Sequence, residues 1–284
     1  MKIALTKTQL AVILATISVT VLLCIARKTP DKLNDVAAMA SSHAGSEAFP
    51  SSTSSARNYL DSSLLQLDEK DHRRVAKLID EAGKTSSVEQ LHVLDQLVAV
   101  LDTLQKPAAS AFFMQLKARQ TNDKADWSKT AERYYVGSKY FPAAHILVDS
   151  AIHAFGKVLA LDPDNLSAKT GLGVCYVEGT QEPMKGISLL QEVLRADSNY
   201  VDALLNLGSF AMTSGQYQKA ITRFEKVLKL KPQYILLYVR IAEAYEKMGN
   251  KEKTIEYLEK YVKKEDDVML RTSIQNEINK LKTS

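Results

Sequence analysis

From Ala56 to Leu281 apolar side chains recur at three- and four-residue steps almost without pause, which is the spacing of a buried helical face. The clearest case is Val201–Tyr234, a stretch of 34 residues. Leu204, Leu207, Gly208 and Ala211 stand at i, i+3, i+4 and i+7, and Ala220, Phe224 and Val227 repeat that stripe further on. Ser214-Gly215-Gln216 separates the two runs, and Gly215 suits the left-handed position that ends a helix. Pro232 cannot continue the second run. The pattern predicts two amphipathic helices joined by a tight turn.

The same period predicts helices over Ala56–Leu67, Asp68–Gly83, Ser87–Gln105, Ala108–Gln120, Ala125–Tyr140 and Ala143–Leu161. Gly83 ends one of them, Ser86 or Ser87 caps another, and Pro107 stands where a new helix can begin. Upstream, Leu10–Ala26 is an apolar run without charge. As a helix it would span roughly 26 Å, slightly less than the hydrocarbon core of a bilayer. Arg27-Lys28 follow at once, as after a retained anchor; cleavage after Cys24-Ile25-Ala26 is the alternative. A lipoprotein signal is disfavoured by Leu22-Leu23 before Cys24. Residues 29–55, rich in Ala and Ser, have few large apolar groups to bury and read as a linker.

Val201–Tyr234 resembles a tetratricopeptide repeat. Counted from Val201, Leu204, Leu207, Gly208, Ala211, Gly215, Tyr217, Ala220, Phe224, Val227 and Pro232 fall on the signature positions of that family. Ile235–Val268 is similar, with Tyr238, Ile241, Ala242, Tyr245, Gly249 and Leu258 in register, Thr254 where Ala is usual and Asp266 where Pro is usual. Leu166–Tyr200 matches through Leu172, Gly173, Tyr176, Gly186, Leu190 and Val193 after a one-residue insertion, with a long turn containing Pro183. A fourth unit, 124–165, matches through Trp127, Ala131, Tyr134, Ala151, Phe155, Val158 and Pro163, but is stretched around Tyr140-Phe141-Pro142. The resemblance implies an all-α fold, a TPR-type α-solenoid of stacked antiparallel hairpins after a single N-terminal transmembrane helix. The expected organisation is an anchor or signal segment over 1–28 and a linker over 29–55. Atypical hairpins follow over 56–123, then the array over 124–268, divided as 124–165, 166–200, 201–234 and 235–268. A terminal helix over 269–284 would turn Ile274, Ile278 and Leu281 inward and Asn276, Glu277 and Lys280 outward.

Composition changes this picture little. The chain has 284 residues, 45% apolar and 25% charged, and a net charge of +4, with no block of five like charges to mark a nucleic-acid surface. The five histidines are scattered, and His145 and His153 stand eight residues apart on one expected helix, too far for a shared metal. No zinc-protease, nucleophile-elbow or phosphate-loop motif occurs. Cys175 reads as a packing thiol, and Cys24 lies in the apolar run. The expectation is therefore no catalytic residue, no metal and no cofactor.

Binding remains. The family uses the first helix of each hairpin to line a concave groove for a peptide or partner helix. By that resemblance the contact residues are Asp202, Leu205, Asn206, Ser209 and Met212 in one repeat and Val239, Arg240, Glu243 and Lys247 in the next. Thr170, Gly171 and Val174 hold matching places in Leu166–Tyr200. Asn206 and Arg240 also match two places of the clamp by which some members hold a C-terminal carboxylate, since an amide and a guanidinium suit that group. Ser167, Gly171 and Leu236 stand where its other members would be. The expected protein is a membrane-tethered scaffold for a protein or peptide, single-pass in a bacterial inner membrane with its body in the periplasm. The alternatives are a cleaved periplasmic chaperone or assembly factor, or a self-assembling homo-oligomer.

Overall fold

A computed structural model describes residues 64–85, 87–141 and 145–283. The expected anchor Leu10–Ala26, the linker and most of Ala56–Leu67 lie outside the described residues. Twelve α-helices and no strand occur among those described. They are α1 (Glu69–Ala82), α2 (Ser87–Thr103), α3 (Pro107–Thr121), α4 (Lys124–Tyr140), α5 (His145–Leu161), α6 (Leu166–Gly179), α7 (Pro183–Ala196), α8 (Val201–Thr213), α9 (Tyr217–Leu230), α10 (Leu236–Lys247), α11 (Lys251–Val262) and α12 (Val268–Thr283). None of these is long and apolar enough to cross a membrane. The chain divides into two compact units, one ending at Ala154 and one spanning Phe155–Ser284, so the division falls within α5 and inside the stretched repeat.

In the first unit, α1, α2 and α3 share a core of Val75, Leu94, Leu97, Leu101 and Phe113. Asp68 caps α1 by accepting from Asp71 N–H at 2.8 Å, and Asp123 caps α4 by accepting from Ala125 and Asp126 N–H at 2.8 and 3.0 Å. Pro107 opens α3. The small run Ala108-Ala109-Ser110-Ala111 is buried, and a Cβ added at Gly137 of α4 would lie 3.1 Å from the Ala108 backbone. Small residues on both sides thus set the approach of α3 and α4. Polar braces join the same helices. Arg133 of α4 donates through Nε to Asp102 of α2 at 3.1 Å, and Ser110 of α3 donates to that carboxylate at 2.5 Å. Lys117 lies 2.6 Å from Asp95 and 3.5 Å from Asp126. Buried Tyr134 donates to buried Gln115 at 2.8 Å.

The second unit repeats itself in its hydrogen bonds. Three second helices, α5, α7 and α9, end on the same turn: Asp162, Asp197 and Lys231 N–H donate to Val158, Val193 and Val227 C=O at 2.8, 2.8 and 2.7 Å. The following bonds, Asn165 to Asp162, Tyr200 to Asp197 and Tyr234 to Lys231, close at 3.2, 3.1 and 3.1 Å. The turn within each of the last two hairpins also recurs: Gln216 donates to Ala211 at 2.8 Å and Asn250 to Tyr245 at 2.9 Å, around Gly215 (φ 73°) and Gly249 (φ 74°). In the hairpins α6–α7 and α8–α9 a glycine lets the helices meet. A Cβ at Gly186 would sit 2.2 Å from the Gly173 carbonyl oxygen, and one at Gly208 would sit 2.4 Å from the Phe224 ring. In the last hairpin Ala242 faces Thr254, whose hydroxyl donates to Asn250 C=O at 2.9 Å. Phe224, Val227, Ile241 and Ile278 are all but inaccessible, each such apolar side chain contributing about 1.5–3 kcal/mol on burial. Ile278 anchors α12 there, with Ile274 and Leu281 beside it and Asn276, Glu277 and Lys280 exposed.

One local expectation is corrected. The turn before α7 is short: α6 runs to Gly179, and Pro183 is the first residue of α7. Thr180 bridges the gap, donating to Tyr176 C=O at 2.9 Å and accepting from Glu182 N–H at 3.0 Å. Pro183 reads as a helix starter, since its missing N–H would be unpaired there anyway.

Candidate partner-binding face

The face expected to meet a partner is built on α8 and α10, whose inner sides enter one core through Leu204, Ala211, Leu237, Ile241 and Ala244. Asp202, Ser209 and Lys247 are exposed, while Leu205, Asn206, Val239, Arg240 and Glu243 are partly buried. Leu205 leans on the core edge. Asn206 donates its amide to Asp202 C=O at 2.8 Å, a bond back to its own helix. Arg240 and Glu243 form an ion pair at 2.6 Å, with side-chain exposures of 43 and 41%. Each clamp-like residue is therefore held by a neighbour on its own helix, and neither bond buries the polar group.

Met212 does not belong to this face. It is 7% exposed and packs in the core. The reason is visible in the spacing: Met212 follows Leu204 and Gly208 by successive four-residue steps, so it continues their buried line. The matching residues of α6 are also spent on packing. Thr170 and Val174 are buried, and a Cβ at Gly171 would fall 2.2 Å from the Phe155 ring. Of the α6 positions named from the sequence, Ser167 alone is exposed. The candidate face thus narrows to α8 and α10.

Behind it lies an aromatic cluster absent from the sequence-based set. Tyr257 of α11 packs 5.5 Å from Tyr245 and 6.4 Å from Tyr238 of α10, ring centre to ring centre. Lys260 covers the Tyr257 ring at 4.1 Å. The Tyr257 hydroxyl donates to Glu225 of α9, and burial followed by that carboxylate raises its pKa. Glu256, bonded by Lys253 and Lys260, is held down at about 2. The Tyr238 and Tyr245 places were legible as signature positions, but the Tyr257 contact across helices was not.

No group of three metal-binding side chains occurs among the described residues. Cys175 is buried, and His145 and His153 are exposed, the latter edge-on to Trp127 at 6.3 Å. In the first unit a groove of about 520 Å³ runs between α1 and α2, lined by Arg74, Lys77, Leu78, Glu81, Gln96, Ala99, Val100 and Thr103. Arg74, Lys77, Glu81, Gln96 and Thr103 there are exposed, and no catalytic pair faces it.

The family model described as Tetratricopeptide repeat matches residues 178–235, across the hairpins whose turns and small-residue crossings were just described. The chain carries tetratricopeptide repeats. A second model, described as Regulator of microtubule dynamics protein 1-3, matches residues 208–282. The solved structure of MamA from residue 41 onward, from Desulfovibrio magneticus RS-1, is similar in fold at 17% identity and a TM-score of 0.50. That match covers 62% of this chain and 97% of that one. Another MamA crystal structure matches at 24% identity over 62% of this chain and 92% of that one, with a TM-score of 0.49. YrrB, a TPR protein with an unusual peptide-binding site, matches at 18% identity over 71% and 97%, with a TM-score of 0.46. No curated protein matches this chain.

Proposed function

We propose that this protein is a scaffold that binds a protein or peptide partner along α8 and α10, acting by binding rather than by catalysis. The observation that carries the reading is the row of side chains left over once the core is satisfied. Leu205 and Val239 are partly exposed, Leu236 is 65% exposed, and Asn206, Arg240 and Glu243 stand among them. Apolar contacts flanked by a few oriented polar groups are what an extended peptide or a partner helix requires. Leu10–Ala26 would tether the scaffold in a bacterial inner membrane, with the array in the periplasm. Asn206→Ala with Arg240→Ala should weaken capture of the partner from a membrane extract at least tenfold. Unchanged capture would exclude α8 and α10 as the binding face. Fractionation of the full chain tests the tether, because release into the soluble fraction with a shortened N-terminus would point to a cleaved, periplasmic protein.

The match over residues 208–282 favours a second reading, in which the chain acts on microtubule dynamics and sits in a compartment that holds microtubules. Co-sedimentation of the full chain with assembled microtubules separates the two readings.

A further inference from the structure

Helix α9 differs in charge from its counterparts. It carries Lys219, Arg223, Lys226 and Lys229, with Lys231 directly after it, against the single acid Glu225. Glu225 is engaged with Tyr257. In the equivalent helix of the next repeat, α11, three lysines stand with three glutamates, and Lys253 and Lys260 both pair with Glu256. In the preceding one, α7, Lys185 pairs with Glu182 and Arg195 with Glu192. None of the five cations on and after α9 forms a salt bridge with a described carboxylate. Lys219 bonds the Gln216 amide oxygen, Arg223 the Leu207 carbonyl at 3.3 Å, and Lys226 the Ser198 carbonyl at 2.5 Å.

Their placement is ordered. Lys219, Arg223, Lys226 and Leu230 follow at i, i+4, i+7 and i+11, one line along the helix, with Lys229 beside it. Lys219, Lys229 and Lys231 are exposed, and Leu230 is 37% exposed. From Lys219 to Leu230 this line is about 16 Å long, which an extended peptide covers in about five residues.

We propose that the outer arc of α9 is a docking surface for a short acidic peptide segment, a run of Asp or Glu flanked by an apolar residue that meets Leu230. Charge complementarity selects this occupant: a line of cations with no carboxylate of its own is matched by carboxylates at peptide spacing. A long polyanion such as nucleic acid is less well matched, because the whole chain carries only +4 and α11 beside the line is balanced. The surface lies on a second helix of a hairpin and is independent of the face on α8 and α10.

The test is binding of the full chain to a fluorescent hexaglutamate peptide, with hexaglutamine and a single-stranded oligonucleotide alongside. Lys219→Gln, Lys226→Gln and Lys229→Gln together should weaken hexaglutamate binding about tenfold or more, since each exposed pair contributes modestly. Lys253→Gln with Lys260→Gln on α11 should leave it unchanged. Binding should fall as salt is raised. The proposal is overturned if the triple variant binds like the parent, if the α11 variant loses as much, or if the oligonucleotide binds more tightly than the peptide through the same lysines. Thermal midpoints within a few degrees of the parent show that the exposed changes left the fold intact. Asn206→Ala with Arg240→Ala should not move hexaglutamate binding, which separates failure here from failure of the α8–α10 face.

Discussion

One substitution, made at two places in the second unit, should act in opposite directions. Gly156 lies inside α5, and a Cβ added there would meet nothing within 4 Å. Ala at that position removes the glycine penalty of a helix interior, so Gly156→Ala should stabilise by about 0.5–1 kcal/mol. Gly186 lies in the first turns of α7, where the same added carbon would stand 2.2 Å from the Gly173 carbonyl oxygen and 2.9 Å from the Val177 nitrogen. Those are backbone atoms and cannot rotate aside. To restore a normal contact α6 and α7 must part by about 1 Å, which loosens the packing of Leu190 and Val193, now fully buried.

Overpacking of this kind costs about 1–3 kcal/mol and outweighs the helical gain, leaving Gly186→Ala about 1–2 kcal/mol less stable than the parent. For a unit of this size that is roughly 3–8 °C in thermal midpoint. Urea unfolding followed by circular dichroism, with a melt beside it, reads both variants. If Gly186→Ala unfolds within about 0.5 kcal/mol of the parent, or moves in the same direction as Gly156→Ala, the close crossing of α6 and α7 is not as described.

Two further outcomes test the first unit. Tyr134→Phe leaves the buried Gln115 oxygen without its donor and should destabilise by about 1–3 kcal/mol in urea, with little change in the dependence on denaturant. Burial pushes the Asp102 pKa up, but hydrogen bonds from Arg133 and Ser110 and the Arg133 charge together bring it below its usual 3.8. A carboxyl lowered on folding adds stability above its unfolded pKa and loses it as pH falls through the folded value. Asp102→Asn should therefore unfold earlier than the parent at neutral pH, by about 0.5–1 kcal/mol for this exposed group, and the difference should shrink in urea titrations as pH falls below the ordinary carboxyl value of 3.8.

How much of this was legible follows from what each residue type constrains. The hairpins α8–α9 and α10–α11 were readable nearly to the residue, because glycine at positive φ, proline after a helix and a regular apolar stripe each fix a local geometry. Asp68, whose carboxylate accepts from Asp71 N–H, and Gly83, at φ −75°, bound α1 by a side-chain cap and a helix breaker instead. Met212 was misplaced because the signature names Leu204 and Gly208 and stops there, while the buried line that they begin runs on one more step to Met212. Gly171 looked like an open groove position, yet glycine there receives the Phe155 ring. A residue's absence of side chain is visible in a sequence; the neighbour that exploits it is not. The braces from Asp102 to Arg133 and from Tyr257 to Glu225 span about thirty positions and follow no period.

The three small-residue crossings carry this further. Gly173 with Gly186, Gly208 with Ala220 and Ala242 with Thr254 hold the same two signature positions, and the side-chain bulk at them grows along the unit. At the first, a carbon added to either glycine would meet the other's carbonyl oxygen; at the last, the threonine hydroxyl bonds back to Asn250 on its own helix. The signature therefore specifies that two helices meet, and each hairpin fills that meeting point with its own pair of residues. The same logic bears on function. The positions that define the repeat are consumed in these contacts, so they cannot distinguish one partner from another. In the proposed function, recognition falls to the positions that the signature leaves free. On α8 and α10 those are Asn206 and the Arg240–Glu243 pair, and on α9 they are the lysines without carboxylates.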